Sequence, residues 1–178
     1  MKDLTEHFVA GGMVFDGNLL KVYRDAVRLP DGSQGEREYI RHPGAVAIVA
    51  LTEDRRLLLE RQYRYPPRRE FIEIPAGKID PGEAHFATAK RELLEETGYV
   101  AQEWTRLCVL HTAISYTDEA IELYLARKLG LQERKLDPGE FLETFLLPFD
   151  DAVAMVRDGR ISDVKTVAAI LWVKAFLP

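Results

Sequence analysis

Apolar and polar residues alternate in short runs over the first forty positions. Val9 to Phe15 is followed by Asp16-Gly17, and Leu19 to Leu29 by Pro30-Asp31-Gly32-Ser33. The first break is hairpin chemistry and the second is turn chemistry. Within the second run, Leu20, Val22, Arg24, Ala26 and Arg28 fall on one side of the predicted strand. A third strand begins over Glu38 to Arg41. So small a meander holds little core of its own, and it is expected to pack on the rest of the chain or on a second subunit.

His42-Pro43-Gly44 breaks this pattern, and the chain beyond it reads differently. Ala45 to Leu51 is continuously apolar, as in a strand buried on both faces. Strands are predicted over Leu57 to Tyr65 and Glu70 to Ile74, the second ended by Pro75-Ala76-Gly77. Ala84 to Thr97 has helical periodicity, with Gly98 where a left-handed cap belongs. Strands follow over Arg106 to Thr112, Ile121 to Lys128 and Phe141 to Leu147. Two helices close the chain, Phe149 to Asp158 before Gly159, and Ser162 to Phe176 with Ser162 or Asp163 as its cap. A mixed sheet covered by helices is the architecture this order predicts, an α/β sandwich.

Composition narrows the function classes. The 178 residues are 47% hydrophobic and 30% charged, as in a folded domain. A net charge of -5 disfavours nonspecific binding to nucleic acid or to an anionic membrane. It leaves room for a phosphorylated small substrate, because a bound cation inverts the local field. Cys108 is the single cysteine, so no intramolecular disulfide forms and a reducing compartment fits. The first residues lack the apolar core of a signal peptide, and no apolar run approaches the roughly 20 residues of a membrane helix. The expectation is a cytoplasmic protein with no membrane partner.

The chemistry is concentrated between Gly77 and Tyr99. Glu92 and Glu96 share one helix face a turn apart, with Glu95 beside them. Phe86, Ala89, Leu93 and Thr97 form the opposite stripe, expected to face the core. Acids alone on a helix would read as a solvated face paired with Lys90 and Arg91. The loop before this helix, rich in Gly and Pro, brings backbone carbonyls such as that of Ala76 next to the acids. Oxygen ligands of this kind suit Mg²⁺ or Mn²⁺.

The spacing Gly77, Glu83, Arg91-Glu92-Leu93, Glu95-Glu96, Gly98-Tyr99 resembles the Nudix box at every fixed position. The resemblance implies a Nudix-type α/β/α sandwich with a mixed sheet over residues 42–178, preceded by a small antiparallel β subdomain over residues 1–41 that serves dimerisation. It implies Mg²⁺, with Mn²⁺ as a substitute. The metal ligands would be Glu92, Glu96, the Ala76 carbonyl and Glu95, with Arg91 orienting the acids and Glu83 supporting the loop. Gly77 and Gly98 are expected to permit the backbone turns at either end.

More of the chain resembles the ADP-ribose pyrophosphatases and related nucleoside-diphosphate-sugar hydrolases. Glu60-Arg61-Gln62-Tyr63-Arg64-Tyr65 and Glu73-Ile74-Pro75-Ala76-Gly77-Lys78-Ile79-Asp80 carry that likeness. It implies that Arg64 contacts the substrate diphosphate and that Glu73 holds substrate or a water. Ser115-Tyr116-Thr117-Asp118-Glu119 resembles the loop that closes over substrate, and Glu119 matches its catalytic glutamate, with Asp118 as the competitor. Glu119, Glu95 and Arg91 are therefore the expected catalytic set. A homodimer is implied, in which Arg41 and His42 reach substrate from the partner and Tyr23, Phe15 or Tyr39 stack on a base. Where many ADP-ribose hydrolases carry proline, this chain has Ile114, which keeps other nucleotide sugars open.

Overall fold

The computed structural model describes residues 2–136 and 139–177. Two compact units are present, one built from residues 1–43 and 111–120, the other from residues 44–110 and 121–178.

The first unit is a three-stranded antiparallel sheet of β1 (His7–Asp16), β2 (Lys21–Arg28) and β3 (Gln34–Arg41), in that order. Strand β1 is exposed along its whole length. The buried side of β2 is not the Leu20/Val22/Ala26 side. Val27 is its one buried residue, in phase with half-buried Tyr23 and Asp25. Tyr23 stacks on Tyr39 at 5.5 Å, and Tyr39 donates a hydrogen bond to Asp25 at 2.8 Å. This aromatic–acid ladder, rather than the aliphatic side, is what the meander packs.

The second unit holds two sheets. One has the order β10 (Leu142–Pro148), β5 (Arg56–Arg64), β6 (Arg69–Glu73) and is antiparallel. The other has the order β7 (Ala76–Lys78), β4 (Ala45–Ala50), β9 (Ala120–Leu131), β8 (Tyr99–His111). It is mixed, with β4 parallel to β9 and antiparallel to β7. Pro75-Ala76-Gly77 does not simply end a strand: Ala76 pairs with Ala47 and opens β7.

Strand β4 is buried at every residue, and its two faces serve different helices. Val46, Ile48 and Ala50 join Leu58 and the helix residues Ala89 and Leu93 in one cluster. Ala45, Ala47 and Val49 join Leu57, Leu59, Phe149, Ala152, Ala169 and Ile170 in another. Helix α1 (His85–Thr97) thus covers one face, while α2 (Phe149–Arg157) and α3 (Val164–Phe176) cover the other. The layering is α/β/α around a mixed sheet. Gly98 caps α1 with φ 76°, and Asp163 caps α3 by accepting from the Thr166 amide at 3.0 Å. The stripe on α1 holds for Ala89, Leu93 and Thr97 but not for Phe86, which lies exposed with its edge against Trp104.

Leu93 fixes the acidic helix to the sheet and is fully buried. Leu93→Ala is expected to cost about 2–5 kcal/mol by opening a cavity, measured as a shift in the urea midpoint at unchanged slope. Among the described residues, no helix is long and apolar enough to cross a membrane.

Candidate active site

One side of α1 is packed, and the other gathers the carboxylates around a single arginine. Arg91 donates to Glu83 at 2.9 and 3.1 Å, to Glu92 at 2.8 Å and to Glu95 at 2.9 Å. Lys90 takes no part in this and lies over the Phe86 ring instead. Glu83 also accepts from the Thr88 hydroxyl at 2.8 Å. The Arg91 and Thr88 bonds hold the Glu83 carboxyl down at about 2, and Arg91 itself is held above its ordinary value.

Glu96 has no such partner. It is 4% exposed, and its carboxylate accepts only from the Ala76 amide, at 3.0 Å, among the described residues. The group that joins Ala76 to the acidic helix is therefore its N–H. Burial first, then the charges of Glu60, Glu92 and Glu140, hold the Glu96 carboxyl well above the usual range. Glu92 is also raised, mainly by burial. Gly77 does not adopt a left-handed conformation, unlike Gly98. A Cβ at residue 77 would stand 2.0 Å from the Glu92 carboxyl carbon. Its role is to make room for that carboxylate, not to turn the chain.

Behind this face lies a second charged group, on β5, β6 and α3. Arg64 donates to both oxygens of Glu73, at 2.7 and 2.8 Å, and Lys165 also donates to Glu73. Lys165 also bonds Asp163 at 3.0 Å. Burial pushes the Glu73 carboxyl up, but Arg64 and Lys165 outweigh it and hold the pKa below its usual value. Glu73 is thus an anchor for Arg64, with both its oxygens engaged. Arg61, one face over, pairs with Glu70 and Glu143 as a surface ladder.

Glu60 and Lys165 were not singled out by the sequence, nor was Glu140, whose charge acts on Glu60, Glu92 and Glu96. Strand parity was the available signal for Glu60, which shares the face of Leu58 and Arg64.

In the first unit, Glu119 accepts from the Thr112 hydroxyl at 2.6 Å and lies 3.6 Å from the His42 ring. Asp118 accepts from the His42 amide at 2.7 Å, a loop-fixing bond. The Arg41 guanidinium lies 4.7 Å from the centre of the Tyr23 ring. Phe15, Ile114 and Tyr116 are exposed.

Among the described residues, no three His, Cys, Asp or Glu side chains converge closely enough to hold a metal ion. Arg91 draws Glu92 and Glu95 toward itself and offsets their like charges on the helix. The donor set nonetheless fits a hard divalent cation. Glu96 is buried without a cationic partner among the described residues, and both oxygens of Glu60 lack any hydrogen-bond partner there. Oxygen donors held in a region that penalises their charge are what such an ion neutralises.

Residues 41–170 match the NUDIX domain, and residues 13–40 match the nucleoside diphosphate sugar hydrolase N-terminal domain. The chain is 38% identical to the ADP-ribose pyrophosphatase of Bacillus subtilis (strain 168) over 176 residues, 98% of this chain and 95% of that protein. It is 40% identical to the methanol dehydrogenase activator of Bacillus methanolicus over 175 residues, 97% of this chain and 95% of the other. A crystal structure of an ADP compounds hydrolase superposes with a TM-score of 0.89 at 27% identity, covering 99% of this chain and 97% of that one. Such enzymes generally act with divalent metal ions, and with the NUDIX domain matched over residues 41–170 the chain is a member of the Nudix hydrolase family.

Proposed function

We propose that this enzyme hydrolyses the diphosphate bond of ADP-ribose or a related nucleoside diphosphate sugar, giving a nucleoside monophosphate and a sugar phosphate. The observation that carries the reading is the buried Glu96 carboxylate, set against Ala76 with no cation to neutralise it among the described residues. Mg²⁺, or Mn²⁺ in its place, would be held by Glu92, Glu96, Glu95 and the Ala76 carbonyl. When bound it supplies charge neutralisation of the diphosphate and a more acidic water.

The chain's own residues do the rest. Arg64, preorganised by its two bonds to Glu73, keeps part of its guanidinium in solvent and presents it to the diphosphate. Arg91 restrains Glu92 and Glu95, so their carboxylates are set before substrate arrives. Glu119, accepting from Thr112, is the group assigned to orient or deprotonate the attacking water. A box glutamate, Glu95, is the alternative for that role, and Glu140, whose charge acts on Glu92 and Glu96, is tested beside them. Water is the nucleophile; the Cys108 thiol is raised by burial and unsuited to the task.

Two copies are proposed to associate through the N-terminal unit, whose β1 exposes Phe8, Val9, Met13, Val14 and Phe15. Arg41 would then serve substrate across the dimer. The single cysteine supports a reducing, cytoplasmic setting.

The test is a substrate panel of ADP-ribose, GDP-mannose, UDP-glucose, NADH and nucleoside triphosphates with Mg²⁺. ADP-ribose is expected to give AMP and ribose 5-phosphate with the highest kcat/KM. Glu119→Gln should lower kcat by about 10²–10⁴-fold with little change in KM, the size of a general-base contribution. If Glu140→Gln shows that loss and Glu119→Gln does not, the base assignment moves to Glu140. Binding of ADP-ribose without turnover of any compound would overturn the enzymatic reading in favour of a sensor.

A further inference from the structure

Glu60 is an anomaly of the second unit. It sits at the centre of β5, opposite Glu73 on β6 and Thr144 on β10. Its exposure is 0%, and neither carboxylate oxygen has a hydrogen-bond partner among the described residues. A buried carboxylate with both oxygens orphaned is among the most costly groups a domain can carry.

The neighbouring cations offset its charge only in part and give it no hydrogen bond. Arg64 and Lys165 both make their bonds to Glu73, and Lys165 adds Asp163. Arg91 holds Glu92 and the Arg64/Lys165 pair holds Glu73, so of the four acids Glu60, Glu73, Glu92 and Glu96 it is Glu60 and Glu96 that lack a bonded cation among the described residues. Strand geometry gives Glu60 a direction. Alternate side chains of β5 share a face, so Glu60 follows Leu58, and Leu58 packs with Leu93 on α1. Glu96 stands one turn beyond Leu93 on the same helix. In line with that placement, the Glu60 charge is the strongest acting on Glu96.

We propose that Glu60 is a further carboxylate of the divalent-cation site, facing Glu96 from the sheet. The inference rests on the Nudix reading above and adds a ligand that its sequence pattern does not contain. The site then draws donors from both the helix and β5. An added carboxylate raises the negative charge offered to the ion, and with it the affinity for a hard cation in the absence of substrate.

The experiment measures Mn²⁺ binding to the whole protein without substrate, from the free-ion signal in electron paramagnetic resonance. Wild type, Glu60→Gln, Glu60→Leu and Glu96→Gln are compared. Both Glu60 variants are expected to bind Mn²⁺ about tenfold or more weakly, or to lose one bound ion. Mn²⁺ binding unchanged in both, while Glu96→Gln weakens it, overturns the role of Glu60 and leaves the metal helix intact. No change in any variant overturns the metal-helix reading itself. Anomalous diffraction from wild-type crystals soaked in Mn²⁺ gives an answer independent of how the variants fold. A peak at coordination distance from the Glu60 carboxylate supports the proposal, and a peak held by α1 alone refutes it.

Discussion

Replacing Glu96 with glutamine is expected to cut hydrolysis by about a thousandfold while making the metal-free protein harder to melt. Loss of the proposed principal cation ligand removes several kcal/mol of transition-state stabilisation, and each 1.36 kcal/mol is tenfold in rate. The gain in stability has a separate cause. Burial and the nearby acids raise the Glu96 carboxyl above the ordinary 4.5. Once the pH passes that value, the unfolded chain ionises while the folded chain still holds its proton. The folded state then binds more protons, and its stability falls with rising pH until the raised folded pKa is reached. Glutamine makes no such ionisation and still accepts from the Ala76 amide. Melting in a chelator at pH 5 and pH 8 reads the effect: the variant should exceed wild type at both, and by more at pH 8. Added Mg²⁺ should stabilise wild type and leave the variant unmoved, since only a bound ion shifts the melting point. A variant that melts below wild type at pH 8 without metal would mean that Glu96 is satisfied by contacts other than a cation.

Which parts of the molecule are legible in the sequence depends on how local their causes are. Strand β4 and helix α1 were legible because burial, periodicity and the Gly98 cap agree with one another. The acids of α1 were legible because their spacing is a local property of a helix. Glu60 was not. It follows Leu57-Leu58-Leu59 and precedes Arg61, so it reads as the polar end of an apolar run. Only the pairing of β5 between β10 and β6 encloses it. Lys165 was opaque for a related reason: its partner Glu73 lies 92 positions away in the chain. The packed face of β2 was not legible because both of its sides carry apolar residues. The side that won is the one where Tyr39 offers a ring to Tyr23 and a hydroxyl to Asp25. Phe86 satisfies the helical stripe, yet it sits in the first turn of α1, where Trp104 and Tyr124 meet it at the surface.

Gly77 separates fold from function most sharply, and Gly77→Ala is the change that shows it. A turn-forming glycine resists alanine because its backbone is left-handed, but Gly77 is paired with Val46 in β7 and has no positive φ. Alanine there also lowers the entropy of the unfolded chain, a gain of about 0.4–1 kcal/mol where no strain results. The obstacle is the Glu92 carboxylate, whose carbon and two oxygens would lie 2.0, 2.0 and 2.5 Å from the new methyl. These atoms end a flexible side chain, so they can yield where backbone could not. Glu92 must then swing by roughly 1 Å or more to reach ordinary contact distance. A misplacement of that size in a reacting constellation costs about 100-fold in rate. The expected result is a protein that melts within a few degrees of wild type and has lost about 99% of its Mg²⁺-dependent turnover. Its Mg²⁺ requirement should also move to higher concentration, because Glu92 no longer stands where a cation would meet it. Full activity in a stable Gly77→Ala protein would show that the position of Glu92 against the loop does not matter to catalysis. Lost stability with normal turnover per folded molecule would return Gly77 to a purely structural role.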